Sequence, residues 1–276
     1  MPLRRVLVVL FLSAFSAAAF AATEAAVVTL ADGATRVLRG ATWYKLAPGI
    51  VVEDGDIVAA EARAQVQLET RGGTLASLAG DGLVLVAVSK DGALALTAPV
   101  GWLKLATKPP GAVVRTAQFE VNVGDGIVVM RVVPDAAEIF IEAGGARITE
   151  PGIAPREARR GEFLRKFTGT PAVSSALAPK AFVDALPRMF IDPLPVLAPR
   201  LKSKPALVVD HEVTYAEAEP WLAGPDRVAF EKRFAVRLKD PAFRKAAEPG
   251  LVRHPAWDRM LHPEKYAPKP PPPAVK

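Results

Sequence analysis

The feature that most limits the fold of this chain is the regular spacing of short segments between residues 26 and 149. Each segment is either apolar or alternates polar and apolar residues. Turn-forming pairs such as Asp81-Gly82 and Asp91-Gly92 separate the segments and favour hairpins. The alternation of polar and apolar residues over 65–69 predicts a strand with one face in solvent. No helical period interrupts this stretch. It predicts a β-sandwich or β-roll of short antiparallel strands.

Turn signals divide the stretch into its predicted strands. Asp81-Gly82 is expected to close a hairpin, and Pro99 with Gly101 is expected to separate two further strands. The predicted strands are 51–58, 65–69, 74–78, 83–88, 93–97, 102–106, 113–116, 118–123, 127–133 and 138–142.

Beyond residue 150 the pattern changes twice. Residues 151–205 are rich in Pro, Arg and Ala, and they predict a long connector that wraps one domain or joins two, with a helix at 174–186. Residues 206–266 predict a small α-helical C-terminal region. Residues 267–276 form a proline-rich tail that is expected to be disordered. The expected organisation is therefore a β domain at 23–150, the connector, the helical region and the tail.

Capping signals place the helices of the C-terminal region. Thr214 and Glu217 have the spacing of a capping box, and Gly224 follows the expected helix end. Further helices are expected to begin where a capping-type residue precedes proline, at Pro241, Pro255 and Pro263. Residues 225–239 carry an apolar helical stripe. Its members are Val228, Phe230, Phe234 and Leu238.

The N-terminus has the pattern of a secretory signal peptide, residues 1–22. Two arginines precede an apolar run at 6–15, and a small-residue stretch at 17–22 offers a cleavage site, so that the mature chain would begin at Thr23. The expected location is periplasmic or secreted, with no stable membrane span after cleavage. The alternative is an uncleaved signal anchor, because 6–22 just reaches the length that spans a bilayer.

Composition narrows the possible chemistry. The chain has no cysteine, which excludes disulfides, a lipid-modified cysteine and thiolate metal sites. Residues 23–155 hold 11 Lys/Arg against 15 Asp/Glu, whereas residues 156–276 hold 22 against 14. The basic second half could favour an acidic partner or an anionic envelope surface, or it could dock onto the acidic first half. Nucleic acid is not expected as a partner of an exported protein.

A metal-dependent or hydrolytic enzyme would need a cluster that the sequence offers only weakly. His254, Asp258, His262 and Glu264 lie close together, but the two histidines precede prolines and are expected to cap helices. Residues 53–56 carry three carboxylates that are interpreted as a solvated loop. No Gly-x-Ser-x-Gly motif surrounds the candidate serines, which are Ser77, Ser89, Ser174 and Ser175. No catalytic, cofactor-binding or metal-binding residue is predicted.

Aromatic and basic residues of the helical region admit two interpretations. The aromatic side chains could line a peptide- or glycan-binding face, but at helical spacings they are expected to form a core. These aromatic residues are Trp221, Phe230, Phe234, Phe243, Trp257 and Tyr266. The basic residues would then cover the outside and offer a docking surface to an acidic partner. They are Lys232, Arg233, Arg237, Lys239, Arg244, Lys245, Arg253 and Arg259.

Several short motifs of the β region resemble the FecR-like domain. They are 38–44 (LRGATWY), 51–57 (VVEDGDI), 64–69 (AQVQLE), 73–78 (GTLASL), 114–116 (VRT), 119–121 (FEV) and 142–148 (EAGGARI). Ala117 stands where many members have a turn residue. The motifs cover about 40–150, and the helical region looks like an extension found on some exported FecR-like proteins.

The resemblance implies an envelope module that senses or binds something, since the best-known members relay signals from outer-membrane transporters to sigma factors. Only five residues precede the hydrophobic segment here, so direct regulation of a sigma factor is not expected. The resulting hypothesis is a periplasmic, non-catalytic binding or scaffold protein without a cofactor. Its expected partner is an envelope protein or a peptidoglycan-like polymer. The alternatives are a secreted hydrolase or metal-dependent enzyme using the C-terminal His/Asp/Glu cluster, and a membrane-anchored signalling protein.

Overall fold

The computed structural model describes residues 23–267, so the predicted signal peptide (1–22) and the predicted tail beyond residue 267 lie outside the described residues. Sixteen strands are joined by hydrogen bonds into one sheet, and a small helical region follows. The prediction of a mainly β protein with a C-terminal helical region is confirmed. In chain order the strands are β1 Glu24–Asp32, β2 Thr35–Arg39, β3 Thr42–Lys45, β4 Val51–Glu53, β5 Ile57–Ala60, β6 Gln65–Glu69, β7 Leu75–Val88, β8 Leu94–Thr107, β9 Ala112–Arg115, β10 Glu120–Val123, β11 Gly126–Val133, β12 Ala136–Thr149, β13 Arg156–Arg159, β14 Phe163–Phe167, β15 Val173–Ser175 and β16 Val208–Glu212.

Three strands of 14 residues, β7, β8 and β12, divide the sheet into two halves because each contributes one end to each half. The first half, called the strap side, runs β4-β1-β6-β7-β8-β11-β12-β14-β15. The second half, called the helix side, runs β16-β3-β2-β5-β7-β8-β9-β10-β12-β13. One apolar core contains residues of both halves, including Val66 and Leu103 of the strap side and Val58 and Val86 of the helix side.

Glycine makes the bend of β7 and β8 possible. Asp81 and Gly101 have φ values of 54° and 110°, and a Cβ on Gly101 would lie 2.2 Å from the Cα of Gly82. The expected hairpin at Asp81-Gly82 and the expected strand break at Gly101 are both wrong. These residues bend two neighbouring strands together, and the hydrogen-bond ladder resumes beyond the bend. The sheet also contains a parallel pair, β8 with β9, where only antiparallel pairs were expected.

The segment expected as a connector contributes to the sheet and then crosses it. Strands β13, β14 and β15 occupy part of 151–205, and β15 ends where a helix was expected to begin. The helix predicted for 174–186 is present only as α1, Lys180–Asp184. Residues 176–205, called the strap, then cross the outer face of the strap side. Phe182 and Phe190 of the strap are buried against Trp102 and Phe163 of the sheet.

The strap covers a face that the alternation of polar and apolar residues had assigned to solvent. Gln67 and Glu69 of β6 are 1% and 6% exposed. Gln67 Nε2 donates to the Pro195 carbonyl oxygen at 2.8 Å, and Glu69 accepts from the N–H groups of Leu197 and Ala198 at 3.1 and 2.9 Å. The prediction of a solvated face is therefore wrong, since polar side chains point outwards here to bind main-chain groups of the strap.

The helical region contains α2 Tyr215–Leu222, α3 Arg227–Phe234, α4 Pro241–Ala247 and α5 Pro255–Leu261. Short 3₁₀ helices connect or follow them, at Ala235–Lys239, Glu248–Arg253 and Pro263–Tyr266. The predicted starts at Pro241 and Pro255 are confirmed, and Pro263 begins a 3₁₀ turn. No helix within residues 23–267 combines the length and apolarity that crossing a membrane requires.

Candidate functional site

The helical region is fixed to the helix side of the sheet by a shared apolar core. Leu38, Trp43 and Ile57 of β2, β3 and β5 pack in one cluster with Phe230 and Phe234 of α3. Five of the six aromatic residues singled out in this region are buried, and Tyr266 is 49% exposed. Their expected role as a core is confirmed for those five. The stripe prediction fails at Val228, which is 71% exposed.

Arg233 of α3 joins the two parts of the protein. Its guanidinium donates to three main-chain oxygens of the sheet, those of Gly40, Gly55 and Leu38, at 2.6, 2.7 and 2.8 Å. Burial lowers the pKa of Arg233, with the negative charge of Asp56 acting in the opposite direction. Arg233 was expected on the outer surface, and it lies at the interface instead.

Of the three carboxylates at 53–56, which were interpreted as a solvated loop, only Asp54 is exposed, while Glu53 is half-buried and Asp56 is buried. Asp56 is 2% exposed and accepts from Arg39 Nη2 at 2.6 Å, while Glu53 pairs with Arg39 Nη1 at 2.7 Å. Asp54 accepts from the N–H of Val88 at 2.8 Å. Because each carboxylate holds a particular loop or strand, the group has a structural role.

Side-chain caps mark the beginning of α2 and α4. Thr214 and Glu217 form the predicted capping box at the start of α2. Asp240 caps α4, and the hydrogen bond from the Ala242 N–H lowers the pKa of its carboxyl. His254 and His262 stand at the expected positions, but neither side chain makes a capping hydrogen bond. The prediction that these histidines cap helices is wrong.

His254 lies instead in a buried polar chain between α2, α3 and α5. It is 2% exposed, its Nδ1 lies 3.0 Å from Glu231 Oε1, and its Nε2 lies 3.3 Å from the Tyr215 hydroxyl. A carboxylate only accepts hydrogen bonds, so the contact with Glu231 uses an N–H at Nδ1, and the Tyr215 hydroxyl is the partner of Nε2. Trp257 Nε1 donates to the Glu231 carbonyl oxygen at 2.9 Å. Burial raises the pKa of Tyr215.

A cleft of about 350 Å³ opens beside these hydrogen-bonded side chains, and His254 forms part of its wall. Arg227 and Arg253 flank the cleft, where Arg227 Nη1 donates to the Arg253 carbonyl oxygen at 3.1 Å and Arg253 Nη2 donates to Glu219 at 3.2 Å. The cleft is lined by Glu219, Leu222, Ala223, Gly224, Pro225, Arg227, Val228, Arg253 and His254. It combines apolar wall residues with two guanidiniums at the surface.

The structure divides the histidine and carboxylate cluster suggested by the sequence. His254 is buried against Glu231, whereas His262 Nε2 lies 2.7 Å from Glu248, and Asp258 binds Lys265 at 3.0 Å. Among the described residues, no group of three or more such side chains is arranged to hold a metal ion. The two histidines thus belong to separate contacts: the His262 imidazole lies 4.0 Å from Asp258 and 3.4 Å from Glu264, whereas the His254 imidazole binds Glu231.

The candidate serines also lie apart from these histidines. Ser77 is fully buried in β7 and donates to the Val66 carbonyl oxygen at 3.3 Å. Ser89 donates to the Ala93 carbonyl oxygen at 2.9 Å in a turn, and Ser174 and Ser175 lie in the exposed strand β15. None of the four contacts an imidazole in the described part of the chain.

The protein is a bent β-sheet whose two halves share one apolar core, with the helical region packed on the helix side and the strap across the strap side. No protein-family model matches the chain, and no curated protein matches it. Two crystal structures of a candidate anti-sigma factor from Parabacteroides distasonis are similar to it, with 13% and 12% identity and TM-scores of 0.39 and 0.38. Each match covers 43% of this chain and 58% of the other. The chain therefore spans less than two thirds of these neighbours, and a likeness of this size establishes no shared activity.

Proposed function

We propose that this chain is an exported, non-catalytic FecR-like scaffold protein that binds a partner protein of the cell envelope through the outer surface of its helical region. The FecR-like motifs and the signal-peptide pattern support the family and the location. One observation carries the binding role: apolar side chains stand exposed beside a cleft on a region that is itself firmly anchored.

Val228 and Val252 are the exposed side chains in question. Val228 lines the cleft and is 71% exposed, and Val252, next to Arg253 of the cleft, is 93% exposed. Burial of such side chains by a partner contributes favourable free energy, and flanking arginines are typical of protein interfaces. We call Val228, Val252, Arg227 and Arg253 the cleft rim.

Anchoring makes the rim suited to recognition. The residues behind it belong to the core shared with β2, β3 and β5, and α3 is held to the sheet by Arg233. A surface fixed in this way loses little conformational entropy when a partner binds. The β-sheet would thus serve as the scaffold that presents the rim.

The test is site-specific photo-crosslinking in intact cells, with the photoreactive residue at position 228 or 252. Position 191 is the matched control, since Ile191 is an exposed apolar residue (67%) on the strap. We expect a discrete protein adduct from 228 and 252, absent from 191, and lost in the double variant Val228→Asp, Val252→Asp.

Adducts of equal intensity at all three positions, or none at 228 and 252, would reject protein binding at the rim. Sedimentation of the purified protein with peptidoglycan is the parallel measurement. If the protein sediments with peptidoglycan and no discrete adduct forms, the partner is the polymer.

A further inference from the structure

A cross-strand row on the strap side places two arginines on either side of one carboxylate. Arg131 of β11 is paired in register with Glu138 of β12, and Glu138 is paired with Arg165 of β14. The neighbouring row, Val129-Phe140-Phe163, includes residues that pack against Phe182 of the strap. The arginine row itself borders an open pocket of about 160 Å³.

Only one of the two oxygens of the Glu138 carboxylate has a hydrogen-bond partner among the described residues. Arg165 Nε donates to Glu138 Oε1 at 2.7 Å. Glu138 Oε2 is buried and has no hydrogen-bond partner among residues 23–267, because Arg131 Nη1 remains 3.6 Å away. Arg131 itself makes no hydrogen bond to another side chain or main-chain group in this part of the protein. Its donors are therefore available to a ligand.

Aromatic rings hold both guanidiniums in place. Arg131 lies 5.6 Å from the ring centre of Trp102, and Arg165 lies 5.7 Å from that of Phe163. Stacking of this kind orients the planar donor group before a ligand arrives, which reduces the entropy lost on binding. The side chains of Arg131 and Arg165 are 41% and 37% exposed, so both can reach a ligand from solvent.

The remaining wall of the pocket is apolar. Val133, Ala136 and Phe167 form the next cross-strand row, and all three line the pocket. Two arginines against one glutamate leave an excess positive charge. Glu138 offers a ligand no accessible acceptor, since Oε1 is bonded to Arg165 and Oε2, although without a hydrogen bond among the described residues, has almost no exposed surface. Such a pocket favours a negatively charged acceptor on an apolar stem over a polyol, whose hydroxyl groups would need acceptors.

We propose that this pocket binds a carboxylate carried on an apolar stem, with Arg131 and Arg165 as the donors. The carboxylate can belong to a small organic acid or to an acidic side chain of a peptide. The site is separate from the cleft rim, so it goes beyond the proposed function and does not depend on it.

Calorimetric titration of the purified protein with benzoate, in a buffer free of phosphate, tests the proposal. Benzyl alcohol is the uncharged control. We expect benzoate to bind with a dissociation constant of about 1–10 mM, and benzyl alcohol to bind at least about tenfold more weakly. A second arm compares a short peptide with a central glutamate and its glutamine counterpart, which distinguishes a side-chain source from a free acid.

Arg131→Gln is the variant of choice, since it removes a charge and breaks no hydrogen bond within residues 23–267; the charged contact that it removes is the 3.6 Å ion pair with Glu138. Arg115→Gln is the matched control, because Arg115 is an exposed strand arginine that pairs with Glu120 away from the pocket. Binding should weaken about tenfold in Arg131→Gln and remain unchanged in Arg115→Gln. Equal binding of benzoate by both variants, equal binding of benzoate and benzyl alcohol, or no binding of either the acid or the glutamate peptide would overturn the proposal.

Discussion

Arg233 Nη2 donates to the Leu38 carbonyl oxygen at 2.8 Å across the boundary between the helical region and the sheet. The same guanidinium binds the carbonyl oxygens of Gly40 and Gly55, so one side chain satisfies three acceptors, one in strand β2 and two in turns of the sheet. This contact joins residues separated by 195 positions in the chain. It makes the position of α3 depend on the sheet.

Removal of this guanidinium should destabilise the protein. In Arg233→Ala, three acceptors lose a charged donor, and we expect the free energy of unfolding to fall by about 2–4 kcal/mol. Urea unfolding measures the change. Lys232→Ala, which alters the exposed neighbour of Arg233, is the control and should change the free energy by less than about 0.5 kcal/mol. Equal losses in the two variants would contradict the role of Arg233.

Lys104 should control the attachment of the strap. It is fully buried, and its Nζ lies 2.8 Å from the Phe190 carbonyl oxygen, 3.1 Å from the Asp192 carbonyl oxygen and 2.8 Å from Glu142. Lys104→Met keeps an unbranched side chain that is one atom shorter, and it removes these bonds. We expect faster hydrogen exchange at the strap amides of Leu197 and Ala198, because the covering segment opens more often.

Lys108→Met is the control for the strap, since Lys108 is exposed. Exchange in the β7–β8 ladder should remain slow in both variants. Slower or unchanged exchange of the strap amides in Lys104→Met would contradict this role of Lys104 and leave the segment held by the apolar contacts of Phe182 and Phe190 and by the hydrogen bonds of Gln67 and Glu69.

His211 should add a pH-dependent contact at the edge of the sheet. Partial burial acts to lower the pKa of His211, but hydrogen bonds to Glu217 and Asp210 raise it by more, so folding raises the pKa. The folded protein therefore binds this proton more tightly. The resulting stability is fully present below about pH 6.5, the value of an unperturbed histidine, and is lost as pH rises through the folded pKa.

NMR titration of the imidazole measures this directly. The pKa of His211 should lie above its ordinary value in the wild type and fall in Glu217→Gln, which removes the negative charge 2.9 Å from Nε2. The contribution to stability at pH 5.5 should be below about 1 kcal/mol, because the contact is partly exposed. An unchanged pKa in Glu217→Gln would contradict the assignment.

Substitution of His254, the middle residue of the hydrogen-bonded set Tyr215, His254 and Glu231, should lower the free energy of unfolding substantially. His254→Ala leaves Glu231 buried without its imidazole partner, and we expect a loss of about 3–5 kcal/mol in the free energy of unfolding. Tyr215→Phe removes only the terminal hydroxyl and should cost about 1 kcal/mol. Denaturant unfolding of both variants measures the difference. A larger loss in Tyr215→Phe would place the main support of the helical region elsewhere.

Much of the local structure follows from the sequence. The capping box at Thr214 and Glu217, the proline starts of α4 and α5 and the turn at Asp91-Gly92 depend on residues close together in the chain. Their geometry is decided by hydrogen bonds and dihedral limits within a few residues. Sequence reasoning also recognised most of the aromatic core of the helical region, because apolar residues at helical spacing share a face.

The predictions that the structure contradicts have a common cause: segments distant in the sequence change the environment of a residue. Gln67 and Glu69 alternate with apolar neighbours in the way of a solvent-facing strand, yet the strap, about 128 residues later, covers them. Gly82 and Gly101 are residues typical of turns, but here they lie side by side in β7 and β8. The two strands bend together at this close contact. The pairing of Arg131, Glu138 and Arg165 depends on the register of three strands.

The sequence by itself determined the mainly β class, the helical region and the ends of several helices, since these depend on periodicity and on short-range backbone chemistry. The tertiary structure decided which polar side chains are buried, that β7, β8 and β12 bend between the two halves of the sheet, and that Arg233 faces the sheet. The physical reason is that burial and strand register are set by contacts between segments far apart in the chain. The free energy of such a contact depends on which distant segment packs against the residue, and no local sequence pattern specifies that segment.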